Sequence, residues 1–262
     1  LRARRWVERI LSHQSEEGWF REYDGADPGY QTWCTSSLAA IYKLRPEWGL
    51  REPLNRSLQF LAYAAHPDGS FGGIVGSRMT RFIFPAGLEM LATEFPIAAS
   101  LADFARRSCA SHSCVSLDSV DPPNLVPFFN DYVTAGIQAN PSKEADVVPG
   151  LPCFSEPRRE ILNDSGWLVD RGQTYYSLIN LRMGGAGVHT VDGCGAIEIS
   201  GFVGRDLKGK LLSSQFIDSD AQWSIDGDEC TLTSNLRGVK RRHPDASKFI
   251  VLRLMSLTML RS

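Results

Sequence analysis

The apolar positions of the first half of the chain recur at helical spacing. Trp6, Val7, Ile10 and Leu11 fall on one face of a helix, and Leu38, Ile41 and Tyr42 do the same after a polar interval. A second pair follows. Leu54, Leu58 and Leu61 form one stripe, with Pro53 suited to a first helical position. Leu88, Leu91, Ala92 and Phe95 form the next, stopped by Pro96. Leu101, Phe104 and Ala105 mark a fifth helix, and Leu125, Phe128, Phe129, Tyr132 and Val133 a sixth.

The intervals inside the first two pairs are alike. "SHQSEEGWF" ends the first helix and "AYAAHPDGSF" ends the third, so Gly18 corresponds to Gly69 and Phe20 to Phe71. The unit is a helix, a polar glycine–aromatic loop and a second helix, repeated after roughly 50 residues. Such units stack and bury their inner stripes jointly, either as a closed α/α toroid or as an open solenoid. Six helices are few for a closed ring. The chain also opens with Leu1 inside a helical pattern and stops just after the apolar run Phe249 to Leu260, which Arg253 interrupts. It therefore reads as a piece of a longer protein.

From Pro141 to Asn163 prolines replace periodic apolar residues, the texture of a linker. Beyond it "TYYSLINL", "GAIEISGFVG", "KLLSSQFI", "QWSI" and "CTLTS" read as short strands. Turn signals at Arg171-Gly172, Asp192-Gly193, Lys208-Gly209 and Asp226-Gly227 separate them. The expected class is α+β multidomain: a toroid-like helical array over 1–140, a linker over 141–164, and an antiparallel β-sheet or sandwich over 165–262.

Composition adds exclusions. With 43% hydrophobic residues, 22% charged and a net charge of −2, the chain has no general attraction to nucleic acid or an anionic membrane. The cluster Lys240-Arg241-Arg242-His243 reads as a solvated loop, and no membrane span is visible. None of the six cysteines forms a Cys-x-x-Cys pair, so neither a metal site nor a cofactor is expected. Cys109 and Cys114 are close enough in sequence to bridge. Free, mostly buried thiols in a reducing, cytoplasmic setting are the simpler reading. "GGIVGS" and "GGAGVH" lack the ending and the setting of a phosphate loop.

Helical pairs with glycine–aromatic loops, followed by an antiparallel β-region, resemble the heparinase II/III-like polysaccharide lyases. That resemblance implies an α/α toroid joined to a β-sandwich, and β-elimination on an acidic polysaccharide with a Tyr and a His as acid and base. His189 of "GGAGVHTVDG" is the counterpart that the resemblance offers for the His, and Tyr30 and Tyr132 are the candidate catalytic tyrosines. The glycine–aromatic loop also looks like the repeat of terpenoid cyclases and protein prenyltransferases. The acidic cluster of the former and the zinc ligands of the latter are not found.

The residues themselves suggest a binding face. Loops of stacked helical pairs emerge on one side, so Asp24, Asp27 and Tyr30 would meet a hydroxyl-rich ligand, with Trp19 or Trp33 stacking on a sugar ring. Arg78 and Arg81, ahead of the helix bearing Glu89, suit a carboxylate. Asn130, on the helix of Tyr132, would help to neutralise a uronate. Each has a plainer reading. Asp27 caps a helix, Trp19 fills a gap, the arginines pair with Asp27 or Glu89, Tyr132 continues a core stripe, and His13, His66 and His112 are ordinary surface histidines.

Overall fold

The computed structural model describes residues 2–139, 150–239 and 246–259. The class is α+β, with the helices first and antiparallel sheets after them. Six helices build the first half: α1 (Arg2–Leu11), α2 (Pro28–Leu44), α3 (Arg51–Ala62), α4 (Ala86–Leu91), α5 (Pro96–Ala110) and α6 (Pro122–Gln138). Helices α2, α4 and α6 pack in a row, and α3 packs on both α2 and α5. Pro53 falls inside the first turn of α3 rather than opening it, because Leu50 takes the cap position. The last stripe divides. Phe128 is buried, while Phe129, Val133 and Leu125 are exposed, because α6 packs on α4 with one face.

The repeat is visible bond by bond. In the first loop Gly18 N–H donates to Ser15 O, Ser15 N–H to Trp19 O and Arg21 N–H to His13 O. In the second, Gly69 N–H donates to His66 O, His66 N–H to Ser70 O and Gly72 N–H to Ala64 O. Phe20 and Phe71 make equivalent bridges, to Gln14 and Ala65. Both loop glycines are left-handed, with φ of 100° at Gly18 and 83° at Gly69, a conformation costly for any other residue.

Helix α4 spans only six residues, far fewer than a self-supporting helix. Its first amides are satisfied from either side. Gly87 N–H donates to Ser36 Oγ on α2 (2.9 Å) and Ala86 N–H to the Asp131 carboxylate on α6 (2.9 Å).

The second half contains a five-stranded antiparallel meander in sequence order: β3 (Arg158–Leu162), β4 (Trp167–Arg171), β5 (Tyr175–Asn180), β6 (Ala186–Val191) and β7 (Gly195–Ile199). A two-stranded ribbon, β1 (Arg21–Glu22) with β2 (Gly25–Ala26), lies in the first helical loop. The strands β8 (Val203–Arg205), β9 (Leu211–Ser213) and β12 (Arg237–Gly238) form a second sheet, and β10 (Gln222–Asp226) pairs with β11 (Glu229–Thr233). All four expected turns connect strands. Two expectations change. β3 occupies the end of the expected linker, and residues 246–259 form a helix, α7, where a β-region was expected. The remainder of that linker, 140–149, and the basic cluster at 240–243 lie outside the described residues.

Across the meander one row reads Glu160, Val169, Leu178, Val188, Glu198. Its apolar centre is buried against the helical half, and its acidic ends clasp that half. Tyr63 donates to Glu160 (2.9 Å) and Arg81 to Glu198 (2.5 Å). Tyr176 OH donates to Tyr63 O (2.8 Å), Asn180 Nδ2 to Val75 O (2.8 Å), and Trp167 meets Phe60 at 4.6 Å between ring centres. A single hydrophobic core therefore runs through helices and sheet. Glu17 adds a further clasp by accepting from the amides of Asp164 and Ser165 in the β3–β4 turn (2.6 and 2.9 Å).

A methyl group on Gly18 would lie 2.2 Å from the Arg56 carbonyl oxygen, whereas one on Gly49, also left-handed, would meet nothing within 4 Å. Gly18→Ala is expected to cost about 3 kcal/mol or more and Gly49→Ala about 1 kcal/mol in urea unfolding. Equal losses would show that loop and α3 are not in tight contact. Burial raises the Asp131 carboxyl above its ordinary value, against the lowering effect of the Ala86 amide and the Ser36 hydroxyl. The folded state then holds that proton more tightly than the unfolded chain. Its contribution to stability is full below the ordinary carboxylate range and is lost as pH rises through the raised value. Asp131→Asn keeps a carbonyl for Ala86, so this variant should exceed the wild type in urea midpoint at neutral pH and match it in acid. A lower midpoint at neutral pH would refute this account.

Candidate functional site

The site begins with Asp27. It ends the β1–β2 ribbon in extended conformation and caps α2, accepting from Tyr30 N–H at 3.3 Å. Its other oxygen accepts from Arg78 N–H (2.9 Å) and Thr80 N–H (3.4 Å) of the second loop, and Thr80 Oγ1 closes the set. The carboxylate is buried and its acceptor positions face donors of the fold itself. Asp27 is thus the pin between two repeats, the capping role among its two readings.

The pinned segment presents Arg78 to solvent. Its guanidinium lies over the ring of Tyr23 at 4.4 Å and near that of Tyr30 at 5.6 Å. Among the described residues no carboxylate lies within ion-pair distance of it. Tyr23 and Met79, next to this contact, hold left-handed backbone at φ of 57° and 54°, and such outliers gather where structure over-determines a local shape.

Tyr30 separates two depressions. On one side a cleft of about 200 Å³ is lined by His13, Arg21, Glu22, Tyr30 and Gln31. Gln31 is buried and organises its floor, donating to Gly18 O and Ser57 Oγ and accepting from Phe20 N–H. Cys34, also on this wall, is kept protonated by burial, which pushes its thiol up to about 12. On the other side an aromatic cavity of about 380 Å³ is walled by Tyr30, Trp33, Phe82, Phe84 and Phe128. Trp33 stacks on Phe84 at 5.1 Å, and Phe128 lies 4.4 Å from Phe84.

The other residues singled out in the sequence lie as follows. Asp24 is exposed on the β1–β2 ribbon. Trp19 packs against the core with its indole N–H buried, so it fills the gap rather than facing a sugar. Arg81 reaches the sheet and pairs with Glu198, and Glu89 is buried against Arg106 (2.6 Å), so neither expected arginine–Glu89 pair forms. Asn130 is exposed on α6, and Tyr132 is half-buried with its hydroxyl 3.4 Å from Cys109 Sγ.

His189 is separated from both tyrosines. Alternation puts Tyr176 and Asn180 of β5 toward the helices and Ser177 on the opposite face. His189 pairs with Ser177 in register and bonds its hydroxyl at 2.7 Å, so it too faces away from the helical half. The structure therefore does not bring Tyr30, Tyr132 and His189 together. His66, read as a surface histidine, is wholly buried, and burial lowers its pKa. Its Nε2 lies 3.2 Å from Gly72 O. His13 is the histidine that shares a cleft with Tyr30. The pattern that locates it is the loop neck, where His13 O takes the amide of Arg21.

Among the described residues no three of His, Cys, Asp and Glu gather to hold a metal ion, and no helix is long and apolar enough to cross a membrane. No protein-family model matches the chain, nor does any curated protein or solved structure match it significantly.

Removing the pin should loosen both loops at once. Asp27→Ala is expected to lower stability by about 3 kcal/mol, the loss of a cap together with charge-assisted bonds, measured by urea unfolding. A loss below about 1 kcal/mol would show that the second loop holds its shape without Asp27.

Proposed function

We propose that this chain belongs to a carbohydrate-active protein that binds an acidic polysaccharide at Arg78 and Tyr30 and cleaves it by β-elimination. The observation that carries the reading is Arg78: an exposed guanidinium over the rings of Tyr23 and Tyr30, with no carboxylate at ion-pair distance among the described residues, Tyr30 also lining the cleft that contains His13. A uronate carboxylate is a planar, bidentate acceptor and suits that group. In this reading the helical pairs are part of an α/α toroid and the sheets part of the β-sandwich of a heparinase II/III-like lyase.

The chemistry needs three roles. Arg78 neutralises the uronate and so eases loss of the C5 proton. His13 or Tyr30 takes that proton, the C5–H electron pair becomes the C4–C5 double bond, and the C4–O bond breaks. The other of the two returns a proton to the departing oxygen. Trp33 and Tyr23, both exposed, offer faces for neighbouring sugar rings. A second reading, capture of the glycan without cleavage, is favoured by the placement of His189 on the far face of the sheet.

Arg78→Ala should weaken binding of uronate oligosaccharides about tenfold or more, the equivalent of one charge-assisted contact, with the urea midpoint kept. Unchanged affinity in calorimetric titration would sink both readings. His13→Ala and Tyr30→Phe should bind the oligosaccharides but form no unsaturated chain ends by ultraviolet absorbance. If the wild type binds through Arg78 and forms none either, capture without cleavage stands.

A further inference from the structure

We propose that Cys109 and Cys114 form a peroxide-reactive dithiol site that closes to a disulfide. The site is independent of glycan binding. Cys109 lies in the last turn of α5, and Cys114 in the loop that follows, with its Sγ 3.7 Å from that of Cys109. A disulfide needs about 2.05 Å between sulfurs, so the two are poised but unjoined. Cys109 is half-buried and Cys114 is buried.

The surroundings favour a thiolate at Cys109. The sulfur–sulfur hydrogen bond with Cys114 brings the Cys109 thiol down to about 6. Burial opposes this, and the Tyr132 hydroxyl at 3.4 Å assists. The same bond raises Cys114. The other titratable groups facing the pair are His112, which assists, and Asp118, which opposes. These two lie 3.1 Å apart as an exposed pair, and Asp131 lies beyond Tyr132. A low-pKa thiol beside a second thiol is the arrangement of an attacking and a resolving cysteine.

The chemistry balances with hydrogen peroxide as oxidant. Cys109 thiolate attacks one peroxide oxygen, the O–O bond breaks, and the departing hydroxide takes a proton as water. Cys109 is now a sulfenic acid. Cys114 sulfur attacks that sulfur, its proton leaves with the hydroxyl as a second water, and the disulfide forms. Two electrons pass from the thiols to the peroxide. Closure draws on the loop whose next residue, Val115, donates its amide to Arg81 O (3.0 Å) and lines the aromatic cavity beside Tyr30.

The test uses the whole chain. At neutral pH, dilute hydrogen peroxide should remove two alkylatable thiols and join the Cys109 and Cys114 peptides, read by mass spectrometry. The exposed Cys194 and Cys230 should stay reduced. Cys114→Ser should instead accumulate a dimedone-trapped sulfenic acid at Cys109, and Cys109→Ser should give neither product. The alkylation midpoint of Cys109 should fall near its lowered value, more than tenfold in proton concentration below the ordinary thiol of about 8.5. It should move up in Tyr132→Phe. Oxidation of Cys194 or Cys230 ahead of the pair, or an ordinary midpoint at Cys109 in the folded protein, would overturn the proposal.

Discussion

One buried carboxylate holds the candidate site together. Asp27 satisfies the first turn of α2 and, with its second oxygen, the amides of Arg78 and Thr80 in the next repeat. A side chain that served only its own helix would need no donors from fifty residues away. Because Asp27 takes both sets, the second loop cannot shift without exposing amides or leaving a charge buried, and either costs several kcal/mol. That bond fixes the backbone of Arg78, and the rings of Tyr23 and Tyr30 then receive its guanidinium.

The polar crowding between α1 and α2 is explained in the same terms. A turn joining two helices needs few residues, but this loop serves three neighbours. Glu17 caps a turn of the sheet, Gln31 fastens the loop to its own neck and to α3, and Asp27 reaches the next repeat. These polar groups are internal fittings. Of the others, His13, Arg21, Glu22 and Tyr30 line the cleft above Gln31.

Local features were legible in the sequence where chemistry is local. The equivalence of Gly18 and Gly69 follows from the left-handed turn each must make, and the Asp192-Gly193 and Asp226-Gly227 turns from the same rule. Strand β3 was not legible, because "RREIL" places Arg159 and Glu160 on opposite faces and shows no apolar alternation. Long-range pairing was not legible either. Nothing near Arg81 points to Glu198, and nothing in "GGAGVH" tells which sheet face His189 takes, since one residue of register would reverse it. His66 reads as a surface histidine in the sequence because it lies near a loop between helices. It is buried because the sheet, through Tyr176, packs over that loop.

The shortness of α4 has a consequence for motion. Its opening amides are held by Ser36 and Asp131, on α2 and α6, which flank it in the packed row. Those hydrogens cannot meet solvent through fraying of α4 alone; α2 or α6 must separate first. Amide hydrogen exchange at Ala86 and Gly87 would then report the opening of the whole helical row, although both sit at the end of its smallest helix.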